Sequence, residues 1–302
     1  PALCGGLLLL AVLRRRAGEA NTLTPAVALS AVAGLAIAPL AAYASFVEPY
    51  RLVVERAEVP APQLAAGQTV TVAVLADLQF NRVPAHEHAA VDLALAADPD
   101  LIVLPGDLFQ GARDQFNAEL PEIRELLSRL HAPGGVYIVA GNVDVPERIR
   151  RAVAGTSIRF LENEIAEIEV DGMRMAVAGL TDDFTTPAAR ACLNRLTVHA
   201  RDRAFALLLS HRPDTVLSLN TDHAVDLLVS GHTHGGQVAL PWFGPPITLS
   251  QAPRRVCAGG LHRVGGQRIY VSRGVGCERG HAPRIRFNCP PEVSVLTLRS
   301  PG

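Results

Sequence analysis

The chain has 302 residues, enough for one large domain or two ordinary ones. Its 28 basic and 29 acidic residues leave a formal net charge of -1, so no basic field suits it to nucleic acid. The five cysteines (Cys4, Cys192, Cys257, Cys277, Cys289) contain no CxxC, which excludes a zinc knuckle and gives no disulfide scaffold. Cys277 and Cys289 could pair in an oxidising compartment. Every basic residue is arginine, which we read as genome composition rather than as a site.

Mean hydropathy is high at +0.22, and the excess lies at the N-terminus. No charged residue occurs from Ala20 to Val47. That run exceeds the roughly 20 apolar residues that cross a bilayer, so it predicts a transmembrane helix over 22–47, with Tyr43 and Tyr50 at an interface. Pro1–Leu13 is a shorter apolar run, read as the remainder of another span or as an uncleaved signal segment. Residues 1–50 thus read as a membrane anchor. Arg14, Arg15 and Arg16 place their side in the cytoplasm, and the rest of the chain on the outer face of a bacterial inner membrane. Arg51 and Arg56 pull the other way.

Residues 51–68, with the Pro/Ala/Gly-rich piece Val59–Gly67, read as a linker to a domain over 69–302. Thr69–Ala76 reads as a strand ending in Asp77-Leu78-Gln79, and Ala85–Ala97 as a helix. Leu101–Leu104 is a second strand, closed by Pro105-Gly106-Asp107. A helix over Pro121–Leu130 follows, and then the strand Gly135–Ala140, closed by Gly141-Asn142-Val143-Asp144. Glu164–Val170 and Arg174–Ala178, joined at Asp171-Gly172, read as a hairpin. Next come a helix from Pro187 to about His199 and the strand Phe205–Leu209, which runs into Ser210-His211. Asp226–Ser230 delivers Gly231-His232-Thr233-His234-Gly235-Gly236-Gln237. Arg268–Ser272 and Val293–Leu298 are two further strands.

Five apolar strands therefore end in residues able to bind metal: Asp77, Asp107, Asn142, His211, and the pair His232 and His234. In layered strand–helix folds the carboxyl ends of strands share an edge, and sites form there. Singly, such residues are helix caps or turn formers; five strand ends in agreement argue for a site. Mixed oxygen and nitrogen ligands with a carboxylate able to bridge suit two divalent ions, roughly 3.5–4 Å apart, acting on a phosphoryl group. Manganese is the expected ion; iron, zinc and magnesium also match such ligands.

On these residues the chain resembles the calcineurin-like metallophosphoesterases over about 69–299, and within them a bacterial membrane-associated branch. The likeness rests on Gly231–Gln237 with its proline-containing sequel Val238–Pro245, on Ser272-Arg273-Gly274-Val275-Gly276, and on Pro290-Pro291-Glu292. It implies a four-layer α/β/β/α sandwich. It further implies that Asp107 bridges two metals, with Asp77 and His234 on the first and Asn142, His211 and His232 on the second. Asp107, Asn142, Asp144 and His211 form the expected catalytic group.

Two positions depart from the family. Gln79 stands where a first-motif histidine would ligate; its carbonyl is a weaker, neutral donor that suits a harder ion. Val143 replaces the histidine expected to protonate the leaving group. Losing a general acid costs about 10²–10⁴-fold where the leaving group needs a proton. The expected substrate is therefore a phosphodiester or pyrophosphate, lipid-linked or nucleotide-containing, rather than an alkyl monoester. Arg212, His86 and Arg273 are candidate substrate contacts, and Trp242 and Phe243 could border a lipid or base pocket. Asp182-Asp183 reads as a turn. The rival reading is a degenerate, non-catalytic binding module, which Gln79 and Val143 favour and the six retained ligands oppose.

Overall fold

The computed structural model describes residues 25–220, 222–280 and 282–301. Helix α1 (Pro25–Phe46) leads through a single 3-10 turn (Glu48–Tyr50) into strand β1 (Val53–Pro60). There follow β2 (Thr69–Val74), α2 (Ala85–Leu95), β3 (Leu101–Leu104), α3 (Arg113–Ser128), β4 (Val136–Ile138), α4 (Pro146–Val153) and β5 (Ile158–Phe160). Then come β6 (Glu164–Val170), β7 (Met173–Gly179), α5 (Pro187–Arg201), β8 (Phe205–Leu209), β9 (Leu227–Ser230), β10 (Gly260–Val264), β11 (Gln267–Val271) and β12 (Glu292–Arg299).

These strands form two six-stranded sheets, ordered β1-β12-β2-β3-β4-β5 and β10-β11-β9-β8-β7-β6. In the first, β2 to β5 run parallel; in the second, β7, β8, β9 and β11 do. Alternation along each strand assigns the layers. Val72, Val74, Leu101 and Val103 meet Val177, Leu207, Leu209 and Val229 between the sheets. The opposite faces carry Ala73 and Ile102 under Val91 (α2), Phe116 and Ile123 (α3) and Ile149 (α4), and Ala206, Leu208 and Leu228 under Leu193 and Leu196 (α5). Strands covered on both faces read as unbroken apolar runs, as Leu101–Leu104 and Phe205–Leu209 do. All nine of those residues are at most 2% exposed. Each large aliphatic side chain among them contributes about 1.5–3 kcal/mol by its burial. The expected α/β sandwich is present.

The hairpin is as read: Asp171 and Gly172, both at positive φ, turn β6 into β7. Three expectations change. The supposed linker holds β1, whose eight residues pair in parallel with the whole of β12, and the unpaired side of that edge strand accounts for its polar composition. Pro121 lies inside α3 rather than at its start. The four described cysteines are free thiols, and Cys289 points its Sγ at the carbonyls of His234 and Gly235 instead of pairing with Cys277.

The predicted 22–47 span corresponds to helix α1 from Pro25 onward. Among the described residues no helix is long and apolar enough to cross a membrane. Leu29, Val32, Leu35, Ile37, Leu40 and Phe46 on α1 are nonetheless exposed. The run at 1–13 and the arginines at 14–16 lie outside the described residues. Helix α1 is tied to the domain at its end. Ala44 O accepts from Arg286 N at 2.9 Å, and the buried Glu48 carboxylate accepts from Cys289 N at 3.0 Å.

Candidate functional site

The turns leaving β2, β3, β4, β8 and β9 converge at one edge of the sandwich. Asp77, Gln79, Asp107, His232 and His234 all adopt positive φ, between 43° and 72°. For non-glycine residues this left-handed backbone is strained, and such strain clusters at functional sites. It persists because the turns are laced together. Asp77 N donates to Gly106 O, Gln79 N to Asp107 O, Gly231 N to His211 O, and Gly276 N to Asp77 O, at 2.7–3.1 Å.

Glycine provides the close approach. A Cβ on Gly141 would lie 2.1 Å from Asp107 Oδ1, and one on Gly231 would lie 2.4 Å from Asp77 Oδ2.

Asp77, Asp107 and His211 are fully buried, and each offers a ligand atom within 4.8 Å of the others, a group able to hold a metal ion. His211 Nε2 lies 2.9 Å from Asn142 Oδ1, 3.2 Å from His232 Nδ1 and 3.3 Å from Asp107 Oδ2. Its Nδ1 lies 2.9 Å from Pro105 O, which orients the ring as a metal-ligating histidine needs. Both ring nitrogens of His234 are buried without a partner, and so is Gln79 Oε1. Unpaired buried polar atoms are costly, typically about 1–3 kcal/mol each, and His234 lies within the electrostatic reach of Asp107. Gln79 is held by its other end: Nε2 donates to Glu278 at 2.9 Å and to Gln110 at 3.1 Å, leaving the carbonyl oxygen free. This donor set fits divalent cations.

The charges agree. Burial would raise the Asp107 carboxyl, but the neighbouring His211 and the Val143 N–H hold it below its ordinary value. Burial pushes Asp77 up to about 7, with Asp107 adding to the rise. His211 is lifted to about 10 despite its burial, because it lies beside both carboxylates. The two buried carboxylates thus favour a positive charge beside them, which a divalent cation would supply. Burial lowers His232 to about 4, helped by His211 and Arg212, and lowers His234 to about 3, helped by Arg286. Both are neutral rings with lone pairs to give.

Other expected site residues are placed differently. Asp144 stands beside the ligand group, close enough to feel the charges of Asp107 and His211. Its carboxylate accepts from the backbone N–H groups of Leu108, Phe109 and Gly141 at 2.9–3.3 Å, clamping two ligand-bearing turns together. Arg273 turns away, pairing with Glu292 and Glu55. His86 lies in a different pocket, with Nε2 on Val275 O at 3.1 Å and its ring edge-on to Tyr50. Arg212 is near the site, but its Nε and Nη2 are on Asp182 at 2.7 and 3.0 Å. Asp182 is therefore an ion-pair partner as well as a turn residue.

Sequence reasoning missed Glu278 and Gln110, which hold Gln79. It also missed Arg286, a fully buried guanidinium that donates to the carbonyls of His234, Arg273, Gly274, Gly276 and Cys289. No local motif marks any of the three. A cavity of about 410 Å³ opens beside Asn142, His232 and His234 and continues along Val238, Ile247, Leu249, Pro283 and Ile285.

Two stacked mixed sheets with oxygen and nitrogen ligands gathered at their strand ends define a metal-dependent hydrolase of phosphoric esters. The sequence pattern of the calcineurin-like phosphoesterases matches residues 70–236, and the chain belongs to that family. It is 37% identical to the metallophosphoesterase YkuE of Bacillus subtilis, over 67% of this chain and 68% of that one. It is 31% identical to the phosphodiesterase YaeI of Escherichia coli, over 74% of this chain and 80% of that one. It is 27% identical to the UDP-2,3-diacylglucosamine pyrophosphatase LpxG of Chlamydia muridarum, over 66% of this chain and 73% of that one.

Proposed function

We propose that the chain is a membrane-anchored, dinuclear phosphoesterase that cleaves a phosphodiester or pyrophosphate bond in a lipid-linked or nucleotide-containing substrate. The observation that carries this is the unpartnered state of His234 Nδ1, His234 Nε2 and Gln79 Oε1 beside a second convergent set, Asn142, His211 and His232. Asp77, Gln79 and His234 would hold one divalent cation and the second set the other, with Asp107 between them. Manganese is the first choice of ion. Bound there, such cations supply Lewis-acid charge to phosphoryl oxygens and lower the pKa of a water.

The chain's own groups set the rest. Asp144 and the glycines fix the turns, and the Pro105 carbonyl holds the His211 ring. Val143 offers the leaving group no proton, so good leaving groups are favoured. A phosphodiesterase and a pyrophosphatase among the relatives agree with that preference. The exposed apolar residues of α1 support an anchor over 22–47, and the arginines at 14–16 ahead of it would put the domain on the outer face of a bacterial inner membrane.

The test is a comparison of kcat/KM for a nucleotide pyrophosphate, a bis-aryl phosphodiester and an alkyl monoester. Preference for the first two by about 10²-fold or more is expected where the general acid is missing. Equal or better monoester turnover would overturn the reading.

A further inference from the structure

The stretch 238–249, directly after the histidine pair, holds Leu240, Trp242, Phe243, Ile247 and Leu249 in solvent, with Trp242 fully exposed. An apolar cluster of that kind marks an interaction surface. The backbone pays to display it: Trp242 and Leu249 sit at φ 62° and 52°, where bulky side chains are rare. Arg254 stacks over the Phe243 ring at 4.4 Å, and Arg254 and Arg255 are exposed beside it. Tryptophan and phenylalanine flanked by arginine suit the headgroup region of a bilayer that carries anionic lipid.

Position supports the same partner. Residues 286–289 are held between this loop and the end of α1. Phe287 exchanges backbone hydrogen bonds of 2.9 Å with Gln237 and Ala239, while Arg286 N bonds Ala44 O at 2.9 Å. The loop and the exposed apolar helix therefore meet on one short segment. The 410 Å³ cavity leads from that place to the metal-binding group, with Asn142 and His232 at one end and Ile247, Leu249, Pro283 and Ile285 along it.

We infer that the 238–249 loop seats in the bilayer interface and that the cavity takes the hydrocarbon chain of a phosphate amphiphile whose phosphate reaches the metal-binding group. The inference rests on the membrane-associated hydrolase reading; it adds the loop that meets the bilayer and the cavity that takes the chain, and narrows the substrate to its lipid-linked class.

Trp242 is the single tryptophan of the chain, so its fluorescence reports this loop alone. The full chain is reconstituted into vesicles of zwitterionic and anionic phospholipid, with or without bromine on the upper acyl carbons. A blue-shifted emission quenched at least twofold by the brominated lipid is expected. The double variant W242S/F243S should keep turnover of a water-soluble bis-aryl diester within twofold. It should lose roughly tenfold in kcat/KM on a vesicle-embedded long-chain phosphate amphiphile.

In a series of alkyl aryl phosphodiesters, KM should fall by up to about fifteenfold per two methylenes, at roughly 0.8 kcal/mol each, and Ile247→Asp should flatten the series. Unquenched emission from a chain that floats with the vesicles and turns over the soluble diester overturns the proposal alone. So does a flat chain-length series, or an emission already blue-shifted without lipid because protein covers the loop. Failure to float overturns the anchor, and failure on the soluble diester overturns the hydrolase; both are read independently of the quenching.

Discussion

Gly141→Ala isolates what the close packing of the turns contributes to catalysis. The new Cβ would fall 2.1 Å from Asp107 Oδ1 and 2.5 Å from Asp107 N, against ordinary contacts of 3.4 Å or more. The carboxylate or its turn must retreat by more than 1 Å. Gly141 is not among the glycines at positive φ, so alanine meets no conformational penalty there and the perturbation is steric and local. A misplacement of about 1 Å in a reacting constellation costs on the order of 10²-fold in rate. We expect kcat on a bis-aryl phosphodiester to fall by about 10² or more, with circular dichroism unchanged and a stability loss of roughly 1–3 kcal/mol from overpacking. A variant with native metal content and kcat within threefold of wild type would refute the claim that Asp107 is held in place by that approach.

Three further predictions follow from buried groups. Arg286→Leu leaves five carbonyls short of a donor and should cost at least about 3 kcal/mol, lowering Tm by roughly 6–12 °C; a change under 2 °C would contradict its role. Gln79→Leu should reduce bound metal from two equivalents to one, measured by elemental analysis, and retention of both would show that its oxygen is not a ligand. Burial raises Glu87 from 4.5 to about 7, so the folded chain binds the extra proton and stability falls as pH rises from 4.5 to 7. Glu87→Gln should flatten that slope in thermal unfolding and stabilise the chain at pH 8 by up to roughly 3 kcal/mol, the free-energy equivalent of the shift. An identical pH profile in the two proteins would sink this assignment.

Much of the site was legible because its chemistry sits at the ends of buried strands. Runs such as Leu101–Leu104 and Phe205–Leu209 announce strands covered on both faces, and the polar residue that follows each marks the shared edge. What was not legible depends on distant partners. Arg273 reads as a candidate phosphate ligand until Glu55, 218 residues away in sequence, takes one side of its guanidinium. Arg212 is met in the same way by Asp182, and Asp144 by three backbone amides. Strand β1 was hidden because an edge strand with Glu55, Arg56 and Glu58 lacks the apolar continuity of a central one.

The most direct test of a working dinuclear centre is metal content measured together with turnover, on the purified full chain and on Asp107→Ala. The account predicts about two divalent ions per chain with bis-aryl diester hydrolysis, and loss of hydrolysis in the variant because the carboxylate between the two ligand sets is gone. One ion or none, with wild-type turnover no better than that of Asp107→Ala under every added metal, would contradict it and leave a metal-poor binding module in its place.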